Sequence, residues 1–109
     1  MVFSINDTIW RVQYVNANSS ELRRSDGTCT FGVTDNNNKT VTLMKNMSDY
    51  MTNKVLCHEL VHVFCFENNY NIDIQTEEII ADFMSLYGRD IIYLADNILN
   101  NVMEKKWNA

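Results

Sequence analysis

The run His58-Glu59-Leu60-Val61-His62 contains both histidines of this 109-residue chain, and the interpretation of the whole sequence begins there. On an α-helix, residues four positions apart lie one turn apart on the same face. His58 and His62 can therefore hold one metal ion between them, with the carboxylate of Glu59 beside it. Imidazole nitrogen is a preferred ligand of Zn²⁺, so the pattern favours zinc.

A third protein ligand is expected, because catalytic zinc normally has three protein ligands and an open position for water. It is predicted within Glu77-Glu78-Ile79-Ile80-Ala81-Asp82. Glu78 and Asp82 are four apart on one helix face, which favours Glu78 as the ligand and Asp82 as acceptor of a ligand histidine's ring N–H. Glu77 points about 100° away and is interpreted as a solvated first-turn acid stabilised by the helix dipole. Glu77 stays open as an alternative ligand.

These residues predict hydrolytic chemistry. Zinc lowers the pKa of a bound water from about 15.7 to about 7. Glu59 is predicted to act as the general base that takes this proton and passes it to the leaving amine of a peptide. The donor that stabilises the oxyanion is left open among Arg89, Tyr70, Tyr87 and Tyr93.

Composition excludes several classes of function. The formal net charge of -5 and the pI of about 4.8 argue against nucleic acid as a partner, because phosphate binding depends on clustered Lys and Arg. No stretch approaches the roughly 18 apolar residues of a membrane span. Three cysteines, Cys29, Cys57 and Cys65, fit reduced thiols and predict a cytoplasmic protein. The length predicts a single domain over residues 1–109.

The first half of the chain predicts a small sheet. Residues 8–15, 28–34 and 40–45 are rich in β-branched and aromatic side chains. Asp35-Asn36-Asn37-Asn38 predicts a hairpin loop, because Asn and Asp tolerate left-handed backbone conformations. Together these segments predict an antiparallel three-stranded sheet.

The second half predicts three helices. The first spans residues 49–67 with Ser48 as N-cap, and the second spans 77–87 after Thr76. The third spans about 89–103, after Gly88, which permits a break or bend. The side of the first helix opposite the histidines is expected to pack against the sheet through Leu56, Cys57, Leu60, Val63 and Phe64.

The two motifs together resemble the gluzincin branch of the zincin metallopeptidases, whose third ligand is a helical glutamate. Small phage and prophage proteins related to the ImmA/IrrE metallopeptidases are the most similar, because they join a strand hairpin to an H-E-x-x-H helix and a Glu-Glu-x-x-x-[Asp/Glu]-Phe helix. The resemblance covers roughly residues 32–99. It implies a minimal zincin-like α+β domain and a protein or peptide substrate extended along an edge strand, residues 40–45.

The chain departs from this family pattern at two places near the site. Only 15 residues separate His62 from Glu78, which implies a trimmed cleft. Glu77 stands where the family usually has Asn before the ligand glutamate.

Three interpretations follow. The first is a zinc endopeptidase acting on a protein partner such as a phage regulator. The second is a zincin-fold protein that binds zinc but hydrolyses little or nothing, and serves as an interaction or assembly module. The third is a metal-free domain in which His58 and His62 are incidental. The sequence leaves the substrate and the oligomeric state open.

Overall fold

A computed structural model describes the backbone of residues 1–107 and the side chains of residues 1–101. Four strands precede two helices, which confirms the predicted α+β class. Over the described residues, neither helix carries an apolar stretch long enough to cross a membrane. The elements are β1 (Val2–Ile5), β2 (Thr8–Val15), β3 (Gly32–Asp35), β4 (Thr40–Met44), α1 (Asp49–Glu67) and α2 (Ile74–Trp107), with a short 3-10 turn at Ser20–Leu22.

The sheet has four strands in the order β1-β2-β4-β3, so the predicted three-stranded antiparallel sheet is wrong in strand number and in direction. The additional strand β1 pairs with β2 through a two-residue turn at Asn6 and Asp7, whose φ angles are 51° and 68°. Such left-handed pairs form the primed turns that suit the twist of a hairpin. β2 and β4 run parallel, with Arg11 opposite Thr40 and Val15 opposite Met44.

The predicted hairpin between β3 and β4 is confirmed. The Asp35 carboxylate accepts the backbone N–H groups of Asn37 and Asn38 at 2.9 and 3.1 Å, as turn residues commonly do. β3 is shorter than predicted, and β4 lies between β2 and β3. The edge strand beside the site is therefore β3, and the expectation that residues 40–45 form that edge is wrong.

Helix α1 packs over the sheet. Ser48 caps it by accepting the backbone N–H of Met51 at 3.2 Å, as predicted. The core consists of fully buried Trp10, Val41, Leu43 and Val63, with Leu56 and Leu60 packed against them.

Phe64 and Cys57 were expected on the sheet side of α1, but both line a groove that faces α2, and Phe64 remains 52% exposed. Each is one residue from a core position, and that step of about 100° turns the side chain away from the sheet.

Helix α2 is continuous from Ile74 to Trp107, so the prediction of two helices divided at Gly88 is wrong. A glycine inside a helix costs only about 1 kcal/mol relative to alanine and does not end it without further breaking signals. The helix also begins earlier than predicted. Asp73, rather than Thr76, performs the capping role, since its carboxylate accepts the Thr76 backbone N–H at 3.1 Å.

Gly32 permits a close approach between β3 and α1. A Cβ atom at this position would lie 2.7 Å from Cγ1 of Val55, 3.1 Å from Cγ of Glu59 and 3.3 Å from Cδ2 of Leu43. Val55 is β-branched and cannot rotate aside easily. The absence of a side chain at Gly32 therefore sets how closely the edge strand approaches Glu59.

We predict that Gly32→Ala destabilises the protein by about 1–3 kcal/mol, the usual cost of overpacking. Urea unfolding monitored by circular dichroism measures this. Gly88→Ala is the matched control, because its added Cβ would meet only the flexible end of Met84, at 2.9 Å. The control is expected to be neutral or slightly stabilising. Equal stability of Gly32→Ala and the unsubstituted protein would contradict the close approach.

Candidate metal centre

The two histidines of α1 face each other across one helical turn. Their Nε2 atoms lie 3.4 Å apart, and their ring centroids are 5.1 Å apart. The His62 side chain is 9% exposed and the His58 side chain 20%, so the pair lies at the bottom of a cleft.

Glu78, in the second turn of α2, reaches both imidazoles with one carboxylate. Its Oε2 atom lies 3.0 Å from Nε2 of His58, and its Oε1 atom lies 2.9 Å from Nε2 of His62. The three residues thus offer donor atoms that all lie within 4.8 Å of one another. The crossing of α1 and α2 creates this convergence, since the residues come from both helices.

A second layer of carboxylates holds the other nitrogen of each ring. Asp82 places Oδ1 2.9 Å from Nδ1 of His58, and Glu77 places Oε2 2.6 Å from Nδ1 of His62. When Nδ1–H donates to a carboxylate, the lone pair of a neutral imidazole resides on Nε2. The Nε2 lone pairs of His58 and His62 then point to the place that the Glu78 carboxylate also faces.

Glu77 does not occupy the position expected from the sequence. It was interpreted as a solvated first-turn acid, but it is only 7% exposed and contacts His62. Burial and, after it, a hydrogen bond to Glu77 raise the pKa of the Cys65 thiol, so the half-buried Cys65 is a second neighbour of this carboxylate. Consecutive residues of α2 point about 100° apart. Glu78 therefore faces both rings from the inside while Glu77 reaches the far side of His62.

The spacing of the donor atoms fits a zinc ion. Tetrahedral zinc with Zn–N bonds of 2.0–2.1 Å places neighbouring ligand atoms about 3.3–3.4 Å apart. The separation of 3.4 Å between the histidine nitrogens matches this value, and the contacts of 2.9 and 3.0 Å to Glu78 need only a small outward movement. Four carboxylates, those of Glu59, Glu77, Glu78 and Asp82, surround two imidazoles, which leaves negative charge for a dication to offset.

Glu59 lies beside this cluster and is fixed from the sheet. Its Oε2 atom is 4.0 Å from Nε2 of His58. The hydroxyl of Thr34, on β3, lies 2.8 Å from Oε1 of Glu59 and 3.1 Å from its backbone carbonyl oxygen. Burial raises the pKa of the Glu59 carboxyl above its ordinary value, against the opposing effects of the Thr34 hydrogen bond and the two imidazoles.

The cleft around the cluster has a volume of about 300 Å³. The walls of the cleft come from β3, from the segment before β3 and from the junction of the two helices. Besides the histidines and acids, the lining residues are Arg24, Thr30, Gly32, Val33, Thr34, Phe66 and Ile74.

The cleft is also lined by one cation, Arg24. Arg89, Tyr70 and Tyr93, considered above as oxyanion donors, line a different groove. Arg24 lies outside both motifs, so their spacing gave no signal for it.

Residues 7–101 match the sequence model of the peptidase M78 family, described as the IrrE N-terminal-like domain. No curated protein and no solved structure matches the chain. The family match covers nearly the whole chain, including α1 and the first turns of α2. The resemblance drawn from the two motifs is confirmed, and the chain belongs to the IrrE N-terminal-like family of peptidases.

Proposed function

We propose that this protein is a zinc-dependent endopeptidase that hydrolyses a peptide bond within a protein partner. The convergence of His58, His62 and Glu78 beside a buried Glu59 supports the proposal most directly. Membership of a peptidase family supports the reaction class. The resemblance of the motifs to phage and prophage proteins supports a regulatory protein as the substrate, and three free cysteines are in keeping with a cytoplasmic setting.

In the proposed reaction, His58, His62 and Glu78 would hold Zn²⁺, and Glu77 and Asp82 orient the two rings. Zinc held there would supply Lewis acidity toward a carbonyl and a water molecule. Glu59 accepts a proton from the attacking water and later delivers it to the leaving amine. Burial raises the pKa of the Glu59 carboxyl, which makes its carboxylate a stronger base than a solvated one for the first of these transfers. The Thr34 hydroxyl holds the Glu59 carboxylate in place for both proton transfers.

The substrate is proposed to bind in extended form along β3. This strand pairs with β4 on one side and forms the edge of the sheet on the other. Thr34 connects the same strand to Glu59, so a peptide added to this edge would run past the catalytic carboxylate. Val33, Phe66 and Ile74 give the cleft apolar surface for a substrate side chain.

We predict that Glu78→Ala lowers zinc affinity by more than about 100-fold. Loss of a carboxylate that only orients a ligand histidine typically costs about 10–100-fold, and loss of a direct ligand should cost more. Competition with a chromophoric chelator measures the affinity. Asp90→Asn is the control, because Asp90 is an exposed acid on α2 outside the cluster. Zinc binding by Glu78→Ala with unchanged affinity would exclude Glu78 as the ligand.

Glu77 and Asp82, whose carboxylates contact Nδ1 of the two histidines, are predicted to contribute unequally to zinc affinity. Glu77→Ala should weaken zinc binding by about 10–100-fold, because it leaves Nδ1 of buried His62 without a partner. Asp82→Ala should cost less, since the Asp82 side chain is 69% exposed and water can replace it. Glu77→Gln keeps an acceptor oxygen and should fall between Glu77→Ala and the unsubstituted protein. The reverse order for Glu77→Ala and Asp82→Ala would contradict this assignment.

Glu59→Gln is predicted to retain zinc and to lower the cleavage rate by about 10²–10⁴-fold, the usual contribution of a general base. The assay is mass-spectrometric detection of new peptide termini after incubating an unfractionated peptide mixture with zinc-loaded protein. Equal cleavage by both forms would contradict the role of Glu59. A fully zinc-loaded unsubstituted protein that cuts nothing would contradict the endopeptidase proposal and favour the interaction module.

A further inference from the structure

Arg24 is the one positively charged side chain among the described residues that line the cleft around the histidines. The cleft also contains three acids, Glu59, Glu77 and Glu78, each of which contacts a histidine ring or a hydroxyl group. Among the described side chains, Arg24 takes part in none of these contacts. Since the chain has 14 acidic residues and only 9 Lys and Arg, an arginine that lies beside acids without pairing with them requires an explanation.

The backbone at Arg24 is fixed by a tight turn that is anchored to the core. Leu22 is fully buried, and its carbonyl oxygen accepts the backbone N–H of Thr30 at 2.9 Å. The backbone N–H of Arg24 donates to the carbonyl oxygen of Thr28 at 2.7 Å. Gly27, with a φ angle of 87°, supplies the left-handed residue of this turn. The base of the Arg24 side chain is therefore held at the rim of the cleft, although the residue is exposed.

The guanidinium of Arg24 has unused hydrogen-bond donors. Its side-chain hydrogen bond goes to the hydroxyl of Thr30 at 3.4 Å, and within residues 1–101 it forms no ion pair. Asp26, an acid in the same turn, is engaged by Thr28, whose backbone N–H and hydroxyl donate to its Oδ1 at 2.9 and 2.6 Å. Because a guanidinium carries five N–H donors, most of them are available to a ligand.

Thr30 connects this guanidinium to the edge strand. The Thr30 hydroxyl accepts from Arg24 and donates to the carbonyl oxygen of Gly32, the first residue of β3, at 3.2 Å. Gly32 in turn lies against Glu59, since a Cβ atom there would be 3.1 Å from Cγ of Glu59. The guanidinium, the edge of β3 and the proposed base therefore share one cleft of about 300 Å³. A peptide extended along β3, at about 3.3 Å per residue, would pass both groups within a few residues.

The chemistry at this end of the cleft suits a carboxylate. The planar fork of a guanidinium matches the two oxygens of a carboxylate and can donate to both at once. A basic substrate side chain would be repelled by Arg24, and an apolar one would leave its donors unused. The three acids of the cleft do not exclude an acidic substrate, because a dication held by the histidines and Glu78 would, together with Arg24, offset their charge.

We propose that Arg24 determines the specificity of the enzyme by binding the carboxylate of an Asp or Glu side chain in the substrate, close to the bond that is cut. This inference rests on the proposed peptidase function. Arg24 would position the substrate, whereas proton transfer remains the task of Glu59.

Cleavage-site profiling tests this role. Zinc-loaded protein is incubated with a library of synthetic random-sequence peptides that have amidated C-termini, and the new termini are identified by mass spectrometry. Asp and Glu should be enriched at one fixed position near the cut. Arg24→Gln should reduce that enrichment by about 10-fold, the lower end of what a hydrogen bond to a charged group contributes, because the side chain is exposed. Arg24→Glu should exchange the preference for Lys and Arg at the same position.

Arg23→Gln is the matched control, because Arg23 precedes Arg24 in the chain, is also exposed and is not among the residues that line the cleft. Its cleavage profile should equal that of the unsubstituted protein. Circular dichroism and zinc content should be unchanged in all three variants. The same library with free C-terminal acids separates the two sources of a carboxylate. A preference that appears only with free acids would assign Arg24 to the chain terminus and overturn the proposal.

A binding measurement separates this inference from the proposed function. Zinc-loaded Glu59→Gln protein is immobilised, and the amidated library is passed over it. Peptides with Asp or Glu should be retained preferentially, and adding Arg24→Gln should remove that preference. Acidic peptides retained by this protein, with no cleavage by the unsubstituted form, would contradict the endopeptidase proposal and support the role of Arg24.

Two outcomes would overturn the role of Arg24 while leaving the peptidase proposal intact. The first is cleavage without any preference for Asp or Glu. The second is a preference that Arg24→Gln leaves unchanged while cleavage of every peptide slows, which would assign Arg24 to stabilising the oxyanion instead.

Discussion

The arrangement of the centre depends on one constraint, the crossing of α1 by the first turns of α2. At this crossing a single carboxylate, Glu78, meets the Nε2 atoms of both histidines, while Glu77 and Asp82 hold the opposite nitrogens. Each ring is fixed from both sides by acids of α2. Removing Glu77 would leave the buried Nδ1 of His62 without a partner, so contacts that orient the rings of the proposed metal site also join the two helices.

The sheet contributes to the site through β3. Gly32 allows this strand to approach α1, and Thr34 then contacts the Glu59 side chain. Glu59, the proposed base, is therefore held by β3 as well as by its own helix, whereas the proposed metal ligands are held by the two helices alone. The orientation of Glu59 depends on β3 in addition to the α1–α2 crossing. The free edge of the sheet consequently lies next to Glu59.

The helical motifs could be predicted because a helix converts sequence spacing directly into direction. The four-residue spacings of His58 with His62 and of Glu78 with Asp82 were sufficient to predict which side chains share a face. The burial of Glu77 depends on the angle at which α2 crosses α1, which no local pattern encodes. The same limit applies to the parallel pairing of β2 with β4, since strand partners are chosen by long-range packing. At Gly88 a local breaking signal was outweighed by the continuous helical pattern on either side.

The central claim is that the donor atoms of His58, His62 and Glu78 bind one zinc ion. Anomalous diffraction at the zinc edge from crystals of zinc-loaded protein tests it most directly. We expect a single peak, with Nε2 of both histidines and one oxygen of Glu78 at about 2.0–2.2 Å from it. A peak at another position, or a Glu78 side chain turned away from the ion, would contradict it.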